Sequence, residues 1–279
     1  MTVKNVPGET FSAPSLQKEE LFIIKIGGNV IDIDHALISF LKDFSNIRPK
    51  KILVHGGGKI ATSIGDKLGI QSKYIDGRRI TDDETIDLVT MVYGGFVNKK
   101  IVAALQSMNC NAIGVTGADG NLMPAIKRPV KDIDYGWVGD LNVDNIKTRS
   151  WQIFLDGGLI PVLAPLTHDG NGHILNTNAD TMAASLSIAL SRCYQVKLIY
   201  CFEKNGVLEN AHDDASVISQ LNTNTYHQLK KDKKLYAGIL PKIDNAFNAI
   251  NNGVKTVIIG NSADVSRLIK NENGTKISV

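Results

Sequence analysis

Leu21-Phe22-Ile23-Ile24-Lys25-Ile26-Gly27-Gly28 and Lys51-Ile52-Leu53-Val54-His55-Gly56-Gly57-Gly58-Lys59 are two short apolar runs, each ending abruptly in glycines. A run apolar on both faces, followed by glycines and a helical pattern, predicts a buried parallel strand whose loop turns back over the sheet. The helical pattern after the first run is carried by Ala36, Leu37, Phe40, Leu41 and Phe44. In open α/β sheets ligands sit beyond the carboxyl ends of the strands, where these glycines fall. Glycine lets backbone N–H groups approach an anion, and a helix starting there adds its positive end, so the loops predict a phosphate site. Lys25 interrupts an aliphatic strand. Its ammonium either reaches an anion-filled crevice or snorkels to water at a sheet edge.

With 279 residues and 43% hydrophobic content, the chain can hold one large α/β domain or two lobes. The 31 Lys and Arg against 28 Asp and Glu give a formal charge of +3, and the short cluster Lys230-Lys231-Asp232-Lys233-Lys234 reads as a solvated helix end, so no nucleic acid is expected. No apolar stretch approaches the roughly 18 to 20 residues of a membrane span, and the N-terminus lacks the layout of a signal peptide. The expectation is a cytoplasmic protein away from membranes. Cys110, Cys193 and Cys201 are spaced as reduced thiols, and the histidines form no ligand pattern, so no protein-held metal is expected.

Residues 1–20, with Pro7, Gly8 and Pro14, read as a tail. A helix is expected over about 59–68, and the turn Asp76-Gly77-Arg78-Arg79-Ile80-Thr81-Asp82 leads into a long helix capped by Thr81 or Asp82. Asn111–Thr116 is a third strand. The segment 117–143, broken by Pro124, Pro129 and Gly136, predicts hairpins that cover a ligand. A helix over about 143–155 stops at Gly157-Gly158 before the strand 160–165. Further on come a short strand at 173–175, an Ala-rich helix after Asn176-Thr177-Asn178-Ala179-Asp180, a strand at 196–202, a polar helix near 225–233, a helix from Pro241, and strands at 255–260 and 273–277. The prediction is an α/β fold with two lobes on one continuous sheet, 21–175 and 176–279.

Neither glycine loop completes a dinucleotide fingerprint, no P-loop string occurs, and Gly260-Asn261-Ser262-Ala263-Asp264 lacks the last glycine of a hydrolase elbow. What remains is two glycine loops with isolated lysines. The second lysine, Lys242, follows Pro241 and so falls in a first helical turn, where the dipole disfavours a cation. It is either solvated or facing an anion.

Ile24-Lys25-Ile26-Gly27-Gly28, His55-Gly56-Gly57-Gly58, Gly77-Arg78-Arg79-Ile80-Thr81, Gly136-Trp137-Val138-Gly139, Asn176-Thr177-Asn178-Ala179-Asp180, Pro241-Lys242 and Gly274-Thr275-Lys276-Ile277 resemble, in order and spacing, the motifs of the amino acid kinase family over residues 21–279. The resemblance implies an αβα sandwich around a mainly parallel open sheet, with an acyl-amino-acid lobe and an ATP lobe. The motifs look most like those of members that move the γ-phosphoryl of ATP, with Mg²⁺, to the side-chain carboxylate of an N-acylated glutamate in arginine biosynthesis. Carried over motif by motif, Lys25 and Lys242 would stabilise the transferring phosphoryl and Asp180 would hold both ammonium groups. Gly27, Gly28 and Gly56 would donate N–H groups to phosphoryl oxygens, Gly57 and Gly58 would also line the acceptor site, Arg79 would take the α-carboxylate, and Asn176 would fix the substrate. On the residues alone, Asp180 could be only a first-turn acid, Asn176 or Asn178 only a cap, and Arg79 a surface ion pair.

The string Phe202-Glu203-Lys204-Asn205, Lys59 after the glycines and the segment 117–139 depart from the family pattern. Acetyl is the acyl group the resemblance implies, and the individual lid leaves a larger one such as succinyl open. The alternatives are a kinase for N-succinylglutamate, glutamate or carbamate, and a non-catalytic sensor of nucleotide or amino acid. The Pro-broken tail argues for a homodimer over a hexamer.

Overall fold

The first glycine-ended run forms strand β1 (Glu20–Ile26), and the second forms β2 (Lys50–His55). They pair in parallel from Leu21↔Lys50 to Ile26↔His55. The computed structural model describes residues 18–75, 77–210, 212–232, 234–235 and 238–278; the expected tail lies outside these up to residue 17. Between β1 and β2 run α1 (Gly28–Asp32) and α2 (Asp34–Ser45), and α3 (Gly58–Leu68) leaves the second loop. The short α1 sits where the sequence predicts only a loop. Gly69, at φ +79°, ends α3 in the left-handed turn that glycine permits.

The expected turn before the long helix is a hairpin, β3 (Tyr74–Ile75) with β4 (Arg78–Arg79). Asp82, rather than Thr81, caps the helix, its side chain accepting the Thr85 N–H. That helix is built from α4 (Asp83–Val89), a wider π-helical stretch (Thr90–Val97) and α5 (Asn98–Gln106). This 24-residue helix holds an 18-residue window of mean hydropathy 1.3, long and apolar enough by composition to cross a membrane, yet 44% of that window is buried inside the fold. The reason is amphipathicity: Leu88, Val89, Val92, Val97, Ile101 and Leu105 are in the core, while Asp83, Glu84, Lys99 and Lys100 face outward.

The third strand is β5 (Ala112–Val115), and the excursion after it carries the expected hairpin, β6 (Ala125–Lys127) with β7 (Gly139–Leu141). The helix expected from residue 143 begins later, as α6 (Thr148–Asp156). Its would-be first turn is a separate 3₁₀ turn over Val143–Asn145, and Ile146 then turns extended, φ −67° and ψ 127°, to bury its side chain. β8 (Ile160–Leu163) is followed by the antiparallel pair β9 (Leu166–His168) and β10 (Ile174–Asn176). The second half comprises α7 (Ala179–Ser191), β11 (Gln195–Phe202), β12 (Gln220–Leu221), α8 (Thr223–Lys231), α9 (Leu240–Asn251), β13 (Thr256–Asn261), α10 (Val265–Leu268) and β14 (Thr275–Ile277).

Eight strands form one sheet in the order β12-β14-β13-β11-β1-β2-β8-β5. Six run parallel; β14 is antiparallel to β13, and β12 follows β14. Each face has its own core, so the chain is an αβα sandwich with a mainly parallel sheet. Leu21, Ile23, Ile52, Val54 and Tyr200 pack with Trp151 of α6 and with α7 and α9. Phe22, Ile24, Ile26 and Leu53 pack with α2, the long helix and α10. The alternation places Lys25 on the α7 and α9 face, at the carboxyl end of the central strand.

Candidate active site

Lys25 neither snorkels nor reaches an edge, because β1 is flanked by β11 and β2, with Lys25 level with Tyr200 and Val54. Its ammonium lies 2.6 Å from Asp180 Oδ1, and Lys242 donates to Asp180 Oδ2 at 2.9 Å. Both lysine side chains are 9% exposed and that of Asp180 17%, so two cations share one carboxylate at the rim of the core. Asp180 is in the first turn of α7, whose N-cap is Asn178, accepting from the Thr181 N–H. Lys242 is in the first turn of α9, directly after Pro241. Two helix N-termini and two ammonium groups therefore converge beyond the end of β1, an arrangement that favours anions.

Burial alone would raise the Asp180 pKa, but Lys25 and Lys242 overcome it and hold the carboxyl below its ordinary range. Lys242 is pulled down from the usual lysine value by burial and by Lys25. It lies over the rings of Tyr200, at 5.2 Å, and Phe202, at 5.9 Å, and the Tyr200 hydroxyl donates to the Asp180 carbonyl at 2.9 Å. Tyr200 is thus a positioning residue that sequence reasoning missed. Its only signal is a hydroxyl in the middle of a strand apolar on both faces.

The glycine loops differ in part from expectation. Gly27 N–H donates to Cys201 O and Gly56 N–H to Ile26 O, both at 3.2 Å, continuing the sheet ladder one residue past the strands. Those two amides are committed to the sheet. Gly28 and Gly58 stand at the first positions of α1 and α3 and Gly57 is the α3 N-cap, where helix amides have no intrahelical acceptor. Gly57 has φ +151°, and a Cβ there would stand 3.0 Å from the Tyr93 ring. Behind the loop, His55 is fully buried, its Nδ1 2.7 Å from Gly56 O and its Nε2 3.2 Å from Asn98 Nδ2. Burial lowers its pKa to about 4, so the ring is neutral at pH 7, and these partners require a proton on Nδ1. Lys59 reaches across to Asn29 of α1 and tethers the two loops.

Arg79 is no surface ion pair: it is 7% exposed and stacks 4.8 Å from the Tyr74 ring centroid. Its Nη2 donates to Gly58 O at 2.8 Å and to Thr62 Oγ1 at 3.0 Å, and Nη1 donates to Ser72 Oγ. Among the described residues no carboxylate pairs with it. Asn176, the last residue of β10, caps no helix; its Nδ2 donates to Thr81 Oγ1 at 3.0 Å. Thr81 N–H donates to Tyr135 O, and Trp137 N–H donates to Thr81 O. Arg79, Thr81, Asn176 and the residues before β7 thus form one hydrogen-bonded wall beside the Gly57-Gly58 loop. Phe202–Asn205 lies next to Lys242, where Asn261 Nδ2 donates to Asn205 Oδ1 at 3.0 Å and Lys204 pairs with Asp214. Among the described residues no group of three His, Cys, Asp or Glu side chains could hold a metal ion.

A cationic pair on a carboxylate, with open helix N-termini on one side and a buried guanidinium on the other, suits the transfer of a phosphoryl group between two anions. The acetylglutamate kinase of Cytophaga hutchinsonii is 55% identical over 263 residues, covering 93% of this chain and 98% of that one. That of Bacteroides thetaiotaomicron is 48% identical over 93% of this chain and 99% of its own. Among solved structures, a Streptococcus mutans protein superimposes with a TM-score of 0.75 at 27% identity, covering 92% of this chain and 98% of that one. The sequence profile of the amino acid kinase family matches residues 20–261, a span that runs from Lys25 through Asp180 to Lys242, and the chain belongs to that family.

Proposed function

We propose that this protein transfers the γ-phosphoryl group of ATP to the side-chain carboxylate of N-acetyl-L-glutamate, giving the acyl phosphate, as a step of arginine biosynthesis. The relatives at 48% to 55% identity support the reaction. The observation that carries the mechanism is the Lys25–Asp180–Lys242 bridge.

A glutamate side chain is already an anion at pH 7, so its oxygen attacks phosphorus without a general base. Phosphoryl transfer of this kind passes through a loose transition state with charge spread over three equatorial oxygens, and the protein supplies positioning and electrostatics. Lys25 and Lys242, held in place by Asp180, would contact those oxygens. Their orientation is fixed before the reaction, so little reorganisation is needed when charge develops. The amides of Gly28, Gly57 and Gly58 would neutralise the nucleotide and the transferring group. Arg79 would take the α-carboxylate in bidentate fashion, and Asn176 would hold the amide of the acyl group. Both Asp180 oxygens face lysines and are not free to ligate a cation. Mg²⁺ would therefore arrive with ATP and would offset the charge of its phosphates, with Lys25, Lys242 and the glycine amides holding the nucleotide that carries it.

Residues 21–175 would form the acylglutamate lobe and 176–279 the nucleotide lobe, with β10 carrying Asn176 at the boundary. Exposed Met91 and Phe96 on one helix support a homodimer. A cytoplasmic location fits a substrate that shares its pool with ATP.

The test is ATP turnover by the pure protein with N-acetyl-L-glutamate, the product trapped by hydroxylamine. Lys25→Ala is expected to lose at least about a hundredfold in kcat while still binding both substrates. Activity near wild type in that variant refutes the role of Lys25, and a wild type without turnover refutes the reaction.

A further inference from the structure

Tyr93 is 5% exposed and stands in the π-helical stretch of the long helix, on the apolar side with Val89, Val92 and Val97, where a tyrosine reads as core filling. The stretch is wider than the α-helical turns on either side, a departure that recurs at functional sites. Its end is tied to the strands behind the second glycine loop. Asn98 N–H donates to Tyr93 O, and the Asn98 side chain meets His55 Nε2 at 3.2 Å and donates to Val162 O at 2.9 Å. The position of Tyr93 is thus fixed from both directions.

The ring lies along the loop itself. A Cβ on Gly57 would stand 3.0 Å from Tyr93 Cδ1, and a Cβ on Gly58 would stand 4.0 Å from the Tyr93 hydroxyl and 4.0 Å from Arg79 Nη2. The phenol and the guanidinium therefore flank one spot beside Gly58. Burial raises the Tyr93 pKa against the pull of Arg79, so the hydroxyl keeps its proton at pH 7. Among the described residues that proton has no acceptor: Gly58 O and Ser72 Oγ take theirs from Arg79, and the Tyr74 hydroxyl is paired with Thr62 Oγ1 at 2.9 Å. A buried donor without an acceptor is costly unless a ligand supplies one. A carboxylate has two oxygens and about four lone-pair sites, so one gripped by Arg79 still has room for a further donor.

Building on the acylglutamate kinase reading, we propose that Tyr93 is a second anchor for the α-carboxylate of the acceptor, its hydroxyl donating from the glycine-loop side to the group that Arg79 holds. The pair fixes which carboxylate of the glutamate stays bound and which is presented to ATP. Because the anchor is made equally before and during phosphoryl transfer, it strengthens substrate binding without changing the rate of the chemical step.

The experiment measures kcat and KM for the wild type and Tyr93→Phe with the acylglutamate, N-acetyl or N-succinyl, that the wild type turns over, trapping the acyl phosphate, and compares the thermal melting of the two proteins. Phe keeps the ring against Gly57 and removes the hydroxyl alone. The expected result is a KM for the acylglutamate raised about tenfold or more, a kcat within about twofold and an unchanged KM for ATP. The melting temperature should equal or exceed that of the wild type, because the free protein loses a donor that had no acceptor. An unchanged KM for the acylglutamate overturns the proposal and leaves the kinase reading intact. A fall in kcat with KM held overturns it in favour of a hydroxyl that serves the transferring phosphoryl. Both KM values rising together with a lowered melting temperature overturns it in favour of a packing role. A wild type silent with both acylglutamates overturns the kinase reading itself.

Discussion

Replacing Asp180 by Ala tests the electrostatics on which the site rests. In the native protein the carboxylate bridges Lys25 at 2.6 Å and Lys242 at 2.9 Å, with both ammonium groups nearly excluded from water. Without it, the two ammonium groups that shared one carboxylate repel, by about 3 kcal/mol for unit charges about 6 Å apart at an effective dielectric constant of about 20. Each also loses a charged hydrogen-bonding partner. Relaxation recovers part of this, and removing one member of a buried ion pair costs about 3 to 5 kcal/mol. A carboxylate serving only the dipole of α7 would cost about 0.3 to 1 kcal/mol, so the magnitude separates the two roles.

Urea unfolding of wild type and Asp180→Ala at pH 7 and pH 9.5 reads it. Lys242, whose pKa is depressed even beside Asp180 by burial and then by Lys25, falls further in the variant. A depressed lysine binds fewer protons folded than unfolded, so its penalty is present at low pH and fades as pH rises. The gap between variant and wild type should therefore be largest at pH 7 and narrower at pH 9.5, and sulfate, binding between the freed ammonium groups, should narrow it too. Wild-type Asp180, also lowered, likewise binds fewer protons folded than unfolded: it contributes stability above its ordinary value of 3.8, lost as pH falls below it. A loss under about 1 kcal/mol that does not change with pH refutes the reasoning.

Other perturbations have signs that follow from particular contacts. Lys51 is buried and donates to the carbonyls of Phe44, Ser45 and Ile47 at 2.7 to 2.9 Å, closing the end of α2, so Lys51→Met is expected to cost about 2 to 4 kcal/mol in urea unfolding. His55, with a folded pKa of about 4 against 6.5, binds fewer protons folded than unfolded, so between those values stability should fall as pH drops, by up to about 3 kcal/mol. Unfolding followed from pH 7 to pH 4.5 should show that slope in wild type and its loss in His55→Asn. Gly57→Ala places a Cβ against Tyr93 at a φ that side chains rarely adopt. It is expected to cost about 1 to 3 kcal/mol by thermal melting and to raise the KM for the acylglutamate.

The reading of residues along the chain went furthest where the physics is local. Two apolar runs closing on glycines are enough to predict parallel strands with anion-binding loops, because burial on both faces and the freedom of glycine both act over a few residues. The N-cap at Asp82 and the stop after α3 at Gly69 follow from chemistry within one turn. The misreadings occur where tertiary packing overrides a local pattern. Ile146 breaks an otherwise helical run to reach the core, and the first glycine loop starts a short helix, α1, where only a loop is expected.

The sequence by itself determined which residue types stand at the ends of which strands: a lysine before two glycines, an acid opening one helix and a lysine opening another. The tertiary structure decided what they do to one another. β1 inserts between β11 and β2, which denies Lys25 a sheet edge, and the sheet order brings the starts of α7 and α9 to its end, so that Asp180 must answer two charges at once. The same folding commits the amides of Gly27 and Gly56 to the sheet and leaves Arg79 buried with neutral partners. Backbone propensity and hydrophobic periodicity are properties of neighbours along the chain. The electrostatic coupling of groups far apart in sequence exists only once a sheet order has been chosen.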